Sequence, residues 1–97
     1  MITISTRIDK KLADEIDEIV KERGTDRSTV IRELLYIGLK EYKLRRALEL
    51  VRERKVTVWR AAEIAGITYR EMLEKLREHN VPFPITAEEL TREISGE

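Results

Sequence analysis

The chain has 97 residues, 39% of them charged, with a formal net charge of zero and no cysteine. That size allows one domain, or two very small units sharing a core. The missing cysteines exclude disulfides and thiolate metal sites and suit a reducing cytoplasm. No apolar run approaches the length of a transmembrane helix or a signal-peptide core, so no membrane partner is expected.

The neutral total hides segments of opposite character. Residues 1–42 hold eight Lys/Arg and nine Asp/Glu, residues 43–79 hold ten and six, and residues 80–97 hold one and four. The middle is basic and the tail acidic, which favours a polyanionic partner for the middle.

Ile2 to Ile8 reads Ile-Thr-Ile-Ser-Thr-Arg-Ile. Strict alternation of β-branched types predicts a strand, with Ile2, Ile4, Thr6 and Ile8 on one face and Thr3, Ser5 and Arg7 on the other. No second strand is evident in the following fifty residues, and a lone strand leaves its backbone groups unpaired. The expected solution is a strand from a second copy, giving a homodimer with an intermolecular two-stranded antiparallel ribbon. A merely solvated strand face is the plain alternative.

Asp9 is placed to cap a helix over residues 10–23, in which Leu12, Ile16, Ile19 and Val20 form one apolar stripe beside Ala13. Gly24 supplies the stop. Asp26 then caps a second helix over about 27–42, with Val30, Ile31, Leu34, Leu35, Gly38 and Leu39 expected inward. A glycine in a helix interior costs about 1 kcal/mol against alanine. Close helix–helix contact at Gly38 would explain it; a tolerated glycine is the alternative.

A strand, a helix, a Gly turn and a second helix within 42 residues resemble the ribbon-helix-helix family, the Arc/MetJ/CopG group. The resemblance rests on Ile2–Ile8, on Ile8-Asp9-Lys10-Lys11-Leu12, and on Gly24-Thr25-Asp26-Arg27-Ser28. It implies a DNA-binding dimer whose outward strand residues enter the major groove, here Thr3, Ser5 and Arg7. It also implies a phosphate clamp at the start of the second helix, here Arg27, Ser28 and Thr25. Thr6 departs from the pattern, standing where such families place an aliphatic residue. The chemistry agrees: arginine bonds two acceptors on a guanine edge, serine and threonine donate or accept, and a helix N-terminus offers free N–H groups to phosphate.

Beyond Tyr42 there is no Pro-, Gly- or Ser-rich linker. Residues 43–55 read as helix, with Ala47, Leu48, Leu50 and Val51 apolar, either continuing the second helix or breaking from it near residues 42–44. Thr57 then caps a helix from Val58 to Ala65, Gly66 ends it, and a further helix over about 69–79 turns Met72, Leu73 and Leu76 inward. The small residues Ala61 and Ala62 followed by Gly66-Ile67-Thr68 look like the corner of a helix-turn-helix. A DNA-reading hairpin would present Thr68, Tyr69, Arg70 and Lys75; the alternative is a hairpin that only builds a dimer or partner surface.

From Ala47-Leu48-Glu49-Leu50 through Val58-Trp59-Arg60-Ala61-Ala62-Glu63-Ile64-Ala65-Gly66-Ile67 to His79-Asn80-Val81-Pro82, the chain also looks like a small uncharacterised prokaryotic family encoded beside PIN-domain ribonuclease toxins. That resemblance implies an antitoxin, with a PIN-type toxin as partner and a prokaryotic cytosol or nucleoid as its place. The tail suits a partner: Val81-Pro82-Phe83-Pro84-Ile85 should be extended, and Thr86-Ala87-Glu88-Glu89 is a capping box opening a short helix. Phe83, Ile85, Leu90 and Ile94 are the candidate anchors, docking either on a partner or on the chain's own core.

His79 is the only histidine and has no companion ligands, and no nucleophile–base arrangement or Gly-rich phosphate loop is present. No enzyme activity, cofactor or metal is expected. The sequence therefore reads as a mainly α, ribbon-helix-helix dimer over 1–42, a helix-turn-helix-like region over 43–80 and a tail over 81–97. Its expected function is sequence-specific transcriptional repression on double-stranded DNA as an antitoxin, with pairing of dimers into tetramers on DNA left open. The alternative is a dimeric interaction module that binds and neutralises a partner protein through residues 43–97 without specific DNA binding.

Overall fold

Asp9 opens α1 (Lys10–Arg23) by accepting the Leu12 amide at 2.8 Å. The computed structural model describes residues 1–83. α1 ends at Gly24, whose left-handed φ of 61° no Cβ-bearing residue adopts at so little cost; its N–H donates to the Lys21 carbonyl at 3.3 Å. Asp26 restarts the chain as α2 (Arg27–Arg52) by accepting the Thr29 amide at 2.8 Å. α2 runs through residues 42–44 without a break, so of the two alternatives the sequence left there, the continuous helix is the one realised.

At the end of α2 the chain turns at Arg54, φ 58°, and the Arg54 and Lys55 amides donate to the Val51 and Leu50 carbonyls at 2.9 Å each. Thr57 caps α3 (Val58–Ala65), accepting the Arg60 amide at 3.1 Å, and Gly66 closes it at φ 71°. Thr68 opens α4 (Tyr69–Glu78) with a reciprocal box: its hydroxyl accepts the Glu71 amide at 3.1 Å while the Glu71 carboxylate accepts the Thr68 amide at 3.4 Å. His79 caps the end of α4, and Asn80, tolerant of its φ of 53°, turns Val81 back into the core.

The chain divides into two units, Met1–Ile37 and Gly38–Glu97. In the second, Ala47, Leu48 and Val51 of α2 pack with Val58, Ala61, Ala62 and Ala65 of α3, with Tyr69, Met72, Leu73 and Leu76 of α4, and with Val81. Trp59, Ile64, Ile67 and Phe83 lean on that core from its edge. Small alanines let α3 approach closely, and Met72 and Leu76 fill the centre.

The first unit is different. Its buried apolar side chains are Ile16 of α1 and Val30 of α2. Ala13, Ile19 and Val20 are half-buried, and two ion pairs tie the helices together. Arg23 bonds Glu33 through Nη1 and Nη2, and Arg27 Nε and Nη2 donate to the two Asp17 carboxylate oxygens at 2.7 Å each.

Two expectations are corrected. Among the described residues there is no strand: residues 1–9 carry no sheet pairing and all regular structure is helical. The ribbon-helix-helix fold, with its N-terminal β-ribbon, is therefore not what this chain forms. Alternation encodes a two-faced extended segment but supplies no neighbour for its N–H and C=O groups, and a strand exists only by that pairing. The second correction concerns α2, where Ile31, Leu34, Leu35 and Leu39 are exposed rather than inward, and Val30 alone of that set is buried. Among the described residues nothing lies within 4 Å of a Cβ built on Gly38, so none of α1 to α4 exploits its missing side chain.

The ion pairs set an acid limit. Hydrogen bonding from Arg27 holds the Asp17 carboxyl below its ordinary pKa, and Arg23 does the same for Glu33. A carboxylate with a depressed folded pKa stabilises above its unfolded value and loses that contribution as pH falls through the folded one. Helicity of the first unit should therefore decline below about pH 4, followed by circular dichroism. Asp17→Asn should lower helicity at neutral pH and shrink the acid step; an unchanged step would show that the pair is idle.

Candidate functional site

The expected base-reading residues stand in the open. Residues 1–9 are exposed throughout, with Ile2 at 91% and Ile4 at 86% of full exposure. Thr3, Ser5 and Arg7 alternate with these isoleucines, so the segment offers hydrogen-bonding groups and bare apolar surface in the same few residues. The Met1 thioether lies 3.8 Å from the Arg32 guanidinium, which brings the beginning of the segment to the first turns of α2.

At the start of α2 the expected phosphate contacts are only partly available. The Ser28 hydroxyl is exposed and Thr25 is half-buried, its amide donating to the Val20 carbonyl at 3.2 Å. The Arg27 guanidinium is already bonded twice to Asp17, and the Asp26 carboxylate takes the Thr29 amide and lies below its ordinary pKa for that reason. Two carboxylates thus stand where a phosphate would come, and an incoming phosphate must compete with Asp17 for Arg27. Sequence reasoning missed these bonds, though a signal existed: Asp17 with Arg27 and Arg23 with Glu33 both flank the Gly24 turn at a separation of ten.

The expected hairpin is present, and it presents different groups from those anticipated. Tyr69 is 5% exposed and stacks on Trp59 with ring centroids 4.6 Å apart and planes inclined by 22°. Its ring belongs to the core and is not offered to a ligand. Arg70 is exposed, and the Thr68 hydroxyl is bonded to Glu71 at 2.9 Å. The outer face of α4 carries Arg70, Lys75 and Arg77 against Glu71, Glu74 and Glu78, an even balance that gives phosphate little net attraction. Lys75 is further committed to Glu78 at 3.4 Å.

The largest feature that sequence reasoning did not place is apolar. Ile31, Leu34, Leu35, Tyr36, Ile37, Leu39 and Tyr42 are all exposed along the middle of α2, and Leu12 is exposed on α1. Single exposed hydrophobics are ordinary; here seven fall within residues 31–42, spread over more than one face of the helix, with Tyr36 on the side away from Leu34 and Gly38. Of the expected partner anchors, Phe83 packs half-buried against the second unit's core, and Ile85, Leu90 and Ile94 lie outside the described residues. Among the described residues no three His, Cys, Asp or Glu side chains group as metal ligands, and no helix is long and apolar enough to cross a membrane.

No solved structure matches the chain. A protein of Archaeoglobus fulgidus described as "UPF0175 protein" is 48% identical over 54 residues, covering 56% of this chain and 62% of that one. The match therefore spans less than two thirds of that relative's length. Neither match names a ribbon-helix-helix fold, a bound DNA or a toxin. The uncharacterised protein family UPF0175 matches residues 2–96, nearly the whole chain, and the chain belongs to that family.

Proposed function

We propose that this protein is a homodimeric, sequence-specific DNA-binding regulator and the antitoxin of a toxin–antitoxin pair. Its exposed segment 1–9 reads DNA as an extended arm, with Thr3, Ser5 and Arg7 at base edges. Ser28, the Thr25 hydroxyl and Arg27 meet phosphate, Arg27 exchanging the Asp17 carboxylate for a phosphate oxygen. The observation that carries the reading is the exposed arm itself, joined to a capped helix pair that buries only Ile16 and Val30 as its apolar core. A unit of fewer than about 40 residues with so small a core is held together by disulfides, metals or oligomerisation, and this chain has no cysteine. The neutral total charge leaves no general repulsion between copies.

The test is fluorescence anisotropy on DNA from the gene's own upstream region at two salt concentrations. Saturable binding that outcompetes random DNA is expected, with a salt slope reporting phosphate contacts. Arg7→Ala should cost about 1–3 kcal/mol and relax the preference at one base pair. Binding no tighter than to random DNA, or an Arg7→Ala protein with unchanged affinity, sinks the reading.

The even charge on α4 and the inward Tyr69 favour a second reading for the other unit. There the hairpin and the tail form a surface for a protein partner, a PIN-type toxin in the antitoxin version, and make no DNA contact.

A further inference from the structure

We propose that the far end of α2 and the turn after it form a second DNA contact. There Lys40, Lys43, Arg46 and Arg54 meet the phosphate backbone of duplex DNA without reading its sequence. The site takes its partner from the reading above, lies wholly within the second unit and does not include the arm.

Charge is the first observation. Residues 40–55 hold seven Lys/Arg and three Asp/Glu, while the rest of the chain holds twelve and sixteen. All three carboxylates are already taken: Glu41 by Arg45 at 3.0 Å, Glu49 by Arg52 at 2.9 Å and Glu53 by Lys55 at 2.9 Å. Lys40, Lys43, Arg46 and Arg54 are exposed and have no ion pair among the described residues. The first three follow at intervals of three, so each stands beside the next on α2, rising about 4.5 Å per step. Helix electrostatics does not account for them. Cations are favoured in the last turn of a helix, whereas Lys40, Lys43 and Arg46 stand more than a turn inside the end of α2.

Arg54 is the second observation. It adopts a left-handed φ of 58°, the conformation in which α1 and α3 end at Gly24 and Gly66. A residue with a Cβ is disfavoured there relative to glycine, so backbone conformation alone predicts glycine at all three helix ends. The guanidinium kept at this one is exposed and carries the cationic stretch past the end of the helix.

The third is what the surface lacks. Beyond Tyr42 no large apolar side chain is exposed among the described residues. This stretch therefore offers nothing to enter a bilayer or to anchor an apolar protein interface. Cations without apolar anchors suit a polyanion of regularly spaced charges, and two of the four are guanidinium groups, whose donor fork fits phosphate oxygens.

The test uses the full chain and fluorescence anisotropy on labelled duplexes of upstream and random sequence, at about 50 and 200 mM salt. Lys43→Gln/Arg46→Gln/Arg54→Gln changes exposed positions only, so its helicity should match the wild type. It should weaken binding to both duplexes about tenfold or more at the lower salt and cut the salt slope by about two to three. The preference for upstream DNA should stay within about threefold. Unchanged affinity and slope overturn the site and leave the arm reading standing. A wild type with no upstream preference, whose random-duplex binding the triple variant still loses, overturns the arm reading and keeps the site. Binding lost for phosphatidylglycerol vesicles and not for duplex DNA overturns the site in favour of a membrane surface. Arg54→Gly separates DNA contact from folding. Relieved of its left-handed strain, it should melt no lower than the wild type and still lose about threefold or more in affinity for both duplexes. A variant that melts lower with unchanged DNA affinity overturns the role of Arg54 in the site.

Discussion

Leu35→Glu should convert the protein to a monomer, abolish tight binding to upstream DNA, and remove the helicity of α1 and the first half of α2. In the isolated chain Leu35 is 65% exposed, so taken alone the substitution is a surface change worth less than about 0.5 kcal/mol. Buried against a second copy in the proposed homodimer, the same carboxylate must be desolvated without a partner, which costs several kcal/mol at each of two symmetric positions. The two outcomes differ by orders of magnitude in dissociation constant. Sedimentation equilibrium separates them, and thermal unfolding at two protein concentrations adds a second readout. The wild type should show one transition that rises with concentration and one that does not, the latter belonging to the second unit with its own core. The variant should keep only the concentration-independent transition. A Leu35→Glu protein that stays dimeric at wild-type concentrations would remove the α2 face from the account.

The next largest effect is expected from Leu76→Ala, which empties the centre of the second unit. Leu76 is fully buried among α2, α3 and α4, and truncating such a leucine costs about 2–5 kcal/mol, comparable to the whole stability of a unit this small. The concentration-independent transition should disappear or fall by tens of degrees. The preference for upstream over random DNA decides what α4 does. If the arm and the first unit alone read DNA, that preference should stay within about threefold, as for separate sites, while capture of a protein partner is lost. A collapse of the preference alongside retained dimerisation would return α4 to the DNA surface.

Local chemistry was legible in the sequence and pairing was not. Asp9, Asp26, Thr57 and Thr68 cap their helices as residue types and spacing required, and Gly24 and Gly66 stop theirs in the left-handed conformation. Each is decided within a turn or two of chain. The ribbon failed because alternation states which side chains share a face and says nothing about what the backbone pairs with. The inward reading of Leu34, Leu35 and Leu39 failed for a related reason: an apolar stripe requires cover, but the cover need not come from the same chain. Tyr69 was a different oversight. It stands three, four and seven positions before Met72, Leu73 and Leu76, on their buried face, so helical spacing already placed it inside. Position at the head of a helix suggested contact with a ligand, and the period should have prevailed.

Asp17 gives the Arg27 site a property that its arithmetic charge conceals. The carboxylate behaves as a tethered counterion: it neutralises Arg27 from 2.7 Å and, unlike a bulk anion, gains no mixing entropy when a phosphate displaces it. In the proposed DNA complex, charge released in that exchange would stay beside the DNA as an uncompensated negative group, so the step would return little to the salt dependence that drives non-specific association. A polyanion that merely passes by gains almost nothing from Arg27. In the proposed DNA complex the site would reward a phosphate only when the remaining contacts hold it in register, and the pair would then act as a filter against indiscriminate binding.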